Sequence, residues 1–498
     1  MGSPVKIPFK SLIVVDKSSN TPVYLQISRQ LINAIQRGVL VDKIQLPGTR
    51  ALSVELDVHR KTVIAAYDEL YAQGWIQVKP NKGTFVNNQS NIAKPDALKY
   101  HTSYLNTYPD QTGFHFKKSI LLDHPYILSE KALAFTDGLP DIRLAPLDRL
   151  AKIYGGILRR KTSIRHLGYS HIEGNEFYRE ALAYYLNNTR GLPIQKDNIL
   201  TTRGVHMGIY LTSKILLSTG DTVIVGHLGY YIANMIFQQS GAYVEAVTVD
   251  QQGISVDAIE AICKKKKVRM VYITPHHHYP TTVTLSAERR LALLQLAARF
   301  GFIILEDDYD FDFHYKSSAV LPLASADTSG MVVYIGSFCK ALAPGLRAGY
   351  IIAPKNLIAE LAKLRRIVDR QSDMLMEQAL GELLTEGEVH RHIKKCLKIY
   401  EERCLYFGSL LSQQLGAYLQ FKLPSGGLAL WSSWNEAVNL LKVSKICKKH
   451  NLDLPHNLLY QNQGITAMRL GFGNLSLEEM EKAVHILEQA THESLTSS

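Results

Sequence analysis

The chain has 498 residues, 46% hydrophobic and 20% charged, the composition of an ordinary folded protein rather than a disordered one. Its 56 basic and 45 acidic residues leave +11, which admits a polyanionic partner without proving one. Apolar runs such as 211–217 are broken by Lys214 and fall far short of the ~20 residues of a membrane helix. Met1–Ser19 carries Lys6, Lys10, Asp16 and Lys17 where a secretory segment has an apolar core, so a cytoplasmic protein is expected. The cysteines at 263, 339, 396, 404 and 447 form no CxxC pair, and neither a disulfide framework nor a zinc knuckle is indicated.

Residues 1–86 hold seven Lys and four Arg against six acidic residues, +5 in a small head. Tyr24, Ile27, Leu31 and Ile35 recur at helical spacing up to Gly38. After the Leu46-Pro47-Gly48 turn, Leu52 and Leu56 mark a second short helix, and Val63, Ala66, Tyr67 and Leu70 a third that stops at Gly74. Trp75–Lys79, a turn over 80–83, and Thr84–Val86 read as a two-stranded ribbon. Three helices and a hairpin make a winged helix-turn-helix over residues 1–87. The third helix opens with His59-Arg60-Lys61-Thr62, polar groups placed to reach base edges and phosphates. Arg50 precedes the second helix, and Lys82 and Gly83 form the wing tip; the plain alternative is a solvated basic surface. The block from Pro22 to Val86 resembles the GntR-type winged helix, with Gly48 and His59 where serines are usual. Double-stranded operator DNA is the partner this implies.

Residues 88–132 show no sustained period and read as a linker. From Phe135, β-branched runs at Thr222–Val225, Val268–Thr274, Phe302–Glu306, Val332–Ile335 and Tyr350–Ala353 alternate with helical stretches such as Ala287–Phe300. That rhythm predicts an α/β domain over 133–498 with a mainly parallel sheet, and a smaller C-terminal lobe from about 376.

Within this body, Ser337-Phe338-Cys339-Lys340 and the following stretch to Gly349 put a lysine after a strand, flanked by Ser337 and Arg347, a hydroxyl and a cation suited to phosphate. Such a lysine can offer its amine to an aldehyde; alone it would be a surface residue. Upstream, Glu306-Asp307-Asp308-Tyr309 ends a strand, and a carboxylate there can keep a pyridine nitrogen protonated. An acidic metal cluster is the alternative, but no nucleotide-phosphate loop accompanies it. His276, His277 and His278 invite zinc, yet adjacent residues at a strand end point in different directions, so no metal site is expected. Arg203-Gly204-Val205-His206 leads from a strand into a helix, whose N-terminus attracts anions; a plain strand–helix turn is the alternative.

These segments resemble fold type I aminotransferases, which bind pyridoxal phosphate. The resemblance implies a Schiff base at Lys340, Asp307 at the ring nitrogen, Tyr309 at the phenolic oxygen and Tyr230 stacked on the ring. It also implies phosphate contacts from Ser337, Arg347, Gly204, Val205 and Arg203, with Tyr169 reaching the cofactor of a partner subunit. His278 and Thr282 stand where that family has glutamine and glycine. Arg469 resembles the arginine that pairs with a substrate carboxylate, a lobe salt bridge being its alternative. Head and body together resemble the MocR family of bacterial regulators. The implied protein is a head-to-tail homodimer that senses a small amine or amino acid, or pyridoxal phosphate itself, with at most weak transamination. The rival is a working aminotransferase with a regulatory head.

Overall fold

The computed structural model describes residues 9–19, 21–80, 82–87, 110–119, 133–315 and 320–496. Most of the 88–132 linker and the first residues of Met1–Ser19 therefore lie outside the described residues. The chain divides into two compact units, Met1–Phe116 and Lys117–Ser498.

In the first unit a short helix α1 (Phe9–Leu12) precedes α2 (Val23–Gln36), α3 (Thr49–Glu55) and α4 (Arg60–Ala72). The antiparallel ribbon β1 (Ile76–Lys79) and β2 (Gly83–Val86) pairs Ile76 with Val86 and Lys79 with Gly83. The apolar stripes read from the sequence meet in one core: Ile27, Leu31 and Ile35 of α2, Leu52 of α3, Val63, Ala66 and Leu70 of α4, closed by Ile76 and Val86. Phe9 and Ile13 join it, an addition too short to leave a periodic signature.

The second unit is built on a seven-stranded sheet. Its strands are β3 (Ile199–Thr202), β4 (Thr222–Gly226), β5 (Tyr243–Val247), β6 (Met270–Ile273), β7 (Ile303–Asp308), β8 (Val332–Ser337) and β9 (Gly349–Ile352), in the spatial order β3-β9-β8-β7-β6-β4-β5. All neighbours are parallel except β9, which runs antiparallel to both β8 and β3. The cause is covalent: only Phe338–Ala348 joins β8 to β9, with a single 3-10 turn and no helix, too little for a parallel crossover of a dozen or more residues.

A four-stranded antiparallel sheet, in the spatial order Leu419–Phe421, Ala429–Trp434, Ile465–Gly471, Leu459–Asn462, forms the smaller lobe. Two points correct its expected start near 376. Helix Met374–Thr385 packs Ala379, Leu380 and Leu383 into the core of the large domain, and the long helix Glu388–Leu415 passes from one core to the other, Val389 and Ile393 in the first, Cys404, Phe407 and Leu411 in the second. The leading segment also belongs here: Leu133–Ala134 pairs with Leu452–Asp453, and Thr136 bridges to Gly471. No helix among the described residues is long and apolar enough to cross a membrane.

Candidate functional site

The carboxyl ends of the parallel strands point one way, and loops leaving them converge on a cavity of about 480 Å³. Asp307 comes from the end of β7, Ser337 from the end of β8, and Lys340 from the turn beyond it. Val205 opens the helix that follows β3, and Tyr230 stands after β4. Tyr309 and Arg347 complete the predicted residues that line this space.

Lys340 Nζ lies 4.3 Å from the centre of the Tyr309 ring. Burial lowers its pKa, opposed by the charges of Asp310 and Asp137, which favours the free amine that attacks a carbonyl. Asp307 is buried; its Oδ2 accepts a 2.7 Å hydrogen bond from the Tyr272 hydroxyl, while Oδ1 has no partner among the described residues. Desolvation pushes this carboxyl up to about 7. A buried, half-satisfied carboxylate is costly unless a cation or donor meets it, and a protonated ring nitrogen is such a group.

Just before the cavity-lining Val205, Gly204 adopts φ +84°, a left-handed backbone that favours glycine. An added Cβ would come within 2.8 Å of the Arg347 guanidinium, which spans the turn to donate to the Arg203 carbonyl at 2.7 Å. The helix Val205–Leu216, whose first N–H groups are free to meet an anion, thus lines the cavity together with Arg347 and Ser337. Tyr230 meets His206 Nε2 through its hydroxyl at 2.6 Å and the Tyr279 ring edge-on at 5.0 Å.

Four side chains predicted for the site are not among those lining this cavity. Arg203 turns its exposed guanidinium to Asp369, 3.2 Å away, and does not line the cavity. The His278 ring is buried against Gly226 and bonded to the Thr281 hydroxyl, and burial depresses it to about 3, so it is neutral. Tyr169 is exposed, under the Arg370 guanidinium. Arg469 is buried over the Tyr279 ring, donating from Nε to the Asp137 carbonyl at 3.0 Å and from Nη1 to the Pro280 carbonyl at 2.7 Å. Thr282 holds φ +62°, a strained state for a β-branched residue where the resembled family has glycine. His276 and His277 each take their own carboxylate, Asp308 at 3.1 Å and Asp310 at 2.9 Å. Tyr272, Tyr279 and Asp137 line the cavity without having been singled out; the tyrosines carry only a core signature in the sequence, and Asp137 sits in an irregular stretch.

In the first unit, His59 caps α4 by accepting from the Lys61 N–H at 3.2 Å, where the resembled family has a serine. Gly48 gives α3 no side-chain cap. Arg50, Arg60, Lys61 and Lys82 are exposed, Thr62 is half-buried, and Arg60 Nε reaches Thr49 Oγ1 at 3.4 Å. Gln45 donates to the Lys82 carbonyl at 2.9 Å and braces the wing beside Gly83.

The family model for aminotransferase class I and II matches residues 157–487, and that for bacterial regulatory proteins of the gntR family matches residues 23–86. The HTH-type transcriptional regulator TauR of Rhodobacter capsulatus is 30% identical over 390 residues, 76% of this chain and 78% of TauR. The probable rhizopine catabolism regulatory protein MocR of Rhizobium meliloti is 26% identical over 430 residues, 86% of this chain and 85% of its own. The chain is a MocR-family transcription regulator. The α-aminoadipate aminotransferase LysN of Thermus thermophilus, solved with N-(5'-phosphopyridoxyl)-L-leucine, shares the fold of this regulator with a TM-score of 0.68 at 24% identity, over 74% of this chain and 93% of LysN. A MocR-family protein of this architecture is a DNA-binding regulator dependent on pyridoxal phosphate. The cavity fits that group: an amine, an unpartnered buried carboxylate oxygen, an arginine and a helix N-terminus line it together.

Proposed function

We propose that this regulator joins pyridoxal phosphate to Lys340 and reports a small amine to its operator. When bound, the cofactor supplies an aldehyde for an amine and an electron-withdrawing ring. Lys340 presents a half-buried, deprotonation-prone amine over Tyr309, and Asp307 offers its free oxygen to a protonated ring nitrogen. Ser337, Arg347 and the helix N-terminus at Gly204 and Val205 hold the phosphate, while Tyr230 covers the ring. Arg50, His59, Arg60, Lys61, Thr62, Lys82 and Gly83 face the DNA, in the cytoplasm, and two chains work head to tail. Arg203, Tyr169 and His278 stay outside the cofactor's immediate contacts in this reading; Tyr169 is left to the partner subunit.

The observation that carries the proposal is Lys340 and the unpartnered oxygen of Asp307 in one cavity. Borohydride reduction of the cofactor-loaded protein, followed by peptide mass mapping, tests it. The adduct is expected on Lys340 alone; an adduct on another lysine overturns the assignment. The regulators rather than the aminotransferases match this chain most fully, MocR over 86% of it against 74% for LysN, which favours sensing over turnover.

A further inference from the structure

Asp137 belongs to none of the roles above. It follows the short strand Leu133–Ala134 and lines the cavity together with Lys340 and Tyr279. Its backbone carbonyl accepts from Arg469 Nε. Its carboxylate, half-buried, makes no ion pair and accepts no hydrogen bond among the described residues, although its charge bears on Lys340, His206 and Arg469. The chain thus keeps an uncommitted anion inside the ligand space.

Its neighbour Arg469 uses two of its five N–H donors on the Asp137 and Pro280 carbonyls, and the Tyr279 ring lies against the guanidinium. The Asp137 charge acts on Arg469, so a ligand carboxylate drawn to Arg469 would also meet the repulsion of Asp137. A ligand cation would gain the same field. The cavity is also lined by the apolar side chains of Leu139, Ile232 and Pro344, which suit methylene groups.

We propose that Asp137 determines effector specificity, and that the effector is an alkyl amine with a second cationic group, which Asp137 binds while the first amine engages the Lys340 site. The inference rests on the amine-sensing reading above and names the ligand class for it.

The test uses full-length protein loaded with pyridoxal phosphate and follows cofactor absorbance during titration with pentylamine, α,ω-diaminopentane and ω-aminopentanoate, three chains differing at the far end. The diamine is expected to bind about tenfold or more tighter than pentylamine, and the aminopentanoate more weakly than pentylamine. Asp137→Asn is expected to bring the diamine back to the level of pentylamine measured on the same preparation, and Asp137→Glu to keep the preference. A diamine no tighter than pentylamine, an aminopentanoate tightest of the three, or a preference that survives Asp137→Asn overturns the inference while leaving the amine-sensing reading intact. If no amine alters the absorbance of loaded protein, the amine-sensing reading falls and this inference falls with it.

Discussion

Asp307 is the residue whose environment makes the sharpest demand. Its carboxyl is pushed from 3.8 to about 7 by burial, so the folded, cofactor-free protein holds a proton there that the unfolded chain has already lost. The contribution to stability is therefore most favourable at low pH and falls as pH rises from about 4 to 7, where the unfolded carboxyl is ionised and the folded one is becoming so. Relative to Asp307→Asn, the melting temperature of cofactor-free protein is expected to decline across that window and level off above it. Parallel curves for the two proteins would remove the electrostatic argument. With cofactor present, Asp307→Asn is expected to lose bound pyridoxal phosphate on dialysis sooner than the parent, because the ring nitrogen loses its anion. Lys340 and Asp307 were legible in the sequence because strand-end placement makes their chemistry specific, and Arg347 because it flanks the lysine motif; all three line the cavity. Tyr272, which donates to Asp307, was not, since a tyrosine inside an apolar strand looks like core until its hydroxyl is seen. Nor was the direction of Arg203: it stands one residue before the left-handed Gly204, and the side chain finds Asp369 instead of the cavity.

At the scale of elements, the turn at Gly204 depends on two strands meeting closely. Gly349 of β9 pairs with Thr202 of β3, and a Cβ on it would lie 2.6 Å from the Gly204 Cα and 2.8 Å from its carbonyl carbon. Those are backbone atoms and do not yield as a side-chain tip would. Gly349→Ala is expected to destabilise by about 1–3 kcal/mol and to weaken cofactor binding by shifting the turn at Gly204. Gly345→Ala, whose Cβ meets nothing within 4 Å, is expected to change stability by less than about 0.5 kcal/mol. Equal melting temperatures for the two variants would show that the sheet absorbs the methyl. In the first unit, Lys82→Ala in the full chain is expected to lower the slope of log affinity for duplex DNA against log salt by about 0.9, the signature of one lost phosphate contact. An unaltered slope would return Lys82 to a solvated wing. The three helices and the ribbon of that unit could be read in advance because their apolar spacings are regular. The antiparallel course of β9 could not, because β-branched runs announce strands and not their direction; only the short connection through Phe338–Ala348 fixes it.

For the whole molecule, the question is how a ligand in one unit alters DNA binding by another, and linkage constrains the answer without any assumption about how the units are arranged. If an amine changes operator affinity by a factor α, saturating operator must change the amine's affinity by the same factor. Coupling of about tenfold corresponds to about 1.4 kcal/mol, and it exists only if the amine binds the two states of the protein unequally. Arg469 is the residue placed to carry such a difference: from the smaller lobe's strand Ile465–Gly471 it holds the leading segment at Asp137 and the large-domain turn at Pro280. Lysine keeps the charge but lacks the planar fork that reaches both carbonyls, and leaving one buried carbonyl unpaired costs on the order of 1–3 kcal/mol. Arg469→Lys is therefore expected to lower the melting temperature and to bring α toward 1. Diaminopentane titrations with and without operator duplex, and operator titrations with and without diaminopentane, give α twice over on the parent and the variant. A parent α of 1 in both directions would refute diaminopentane as the signal coupled to the operator, and an α undiminished in Arg469→Lys would move the coupling away from the lobe contact that Arg469 makes.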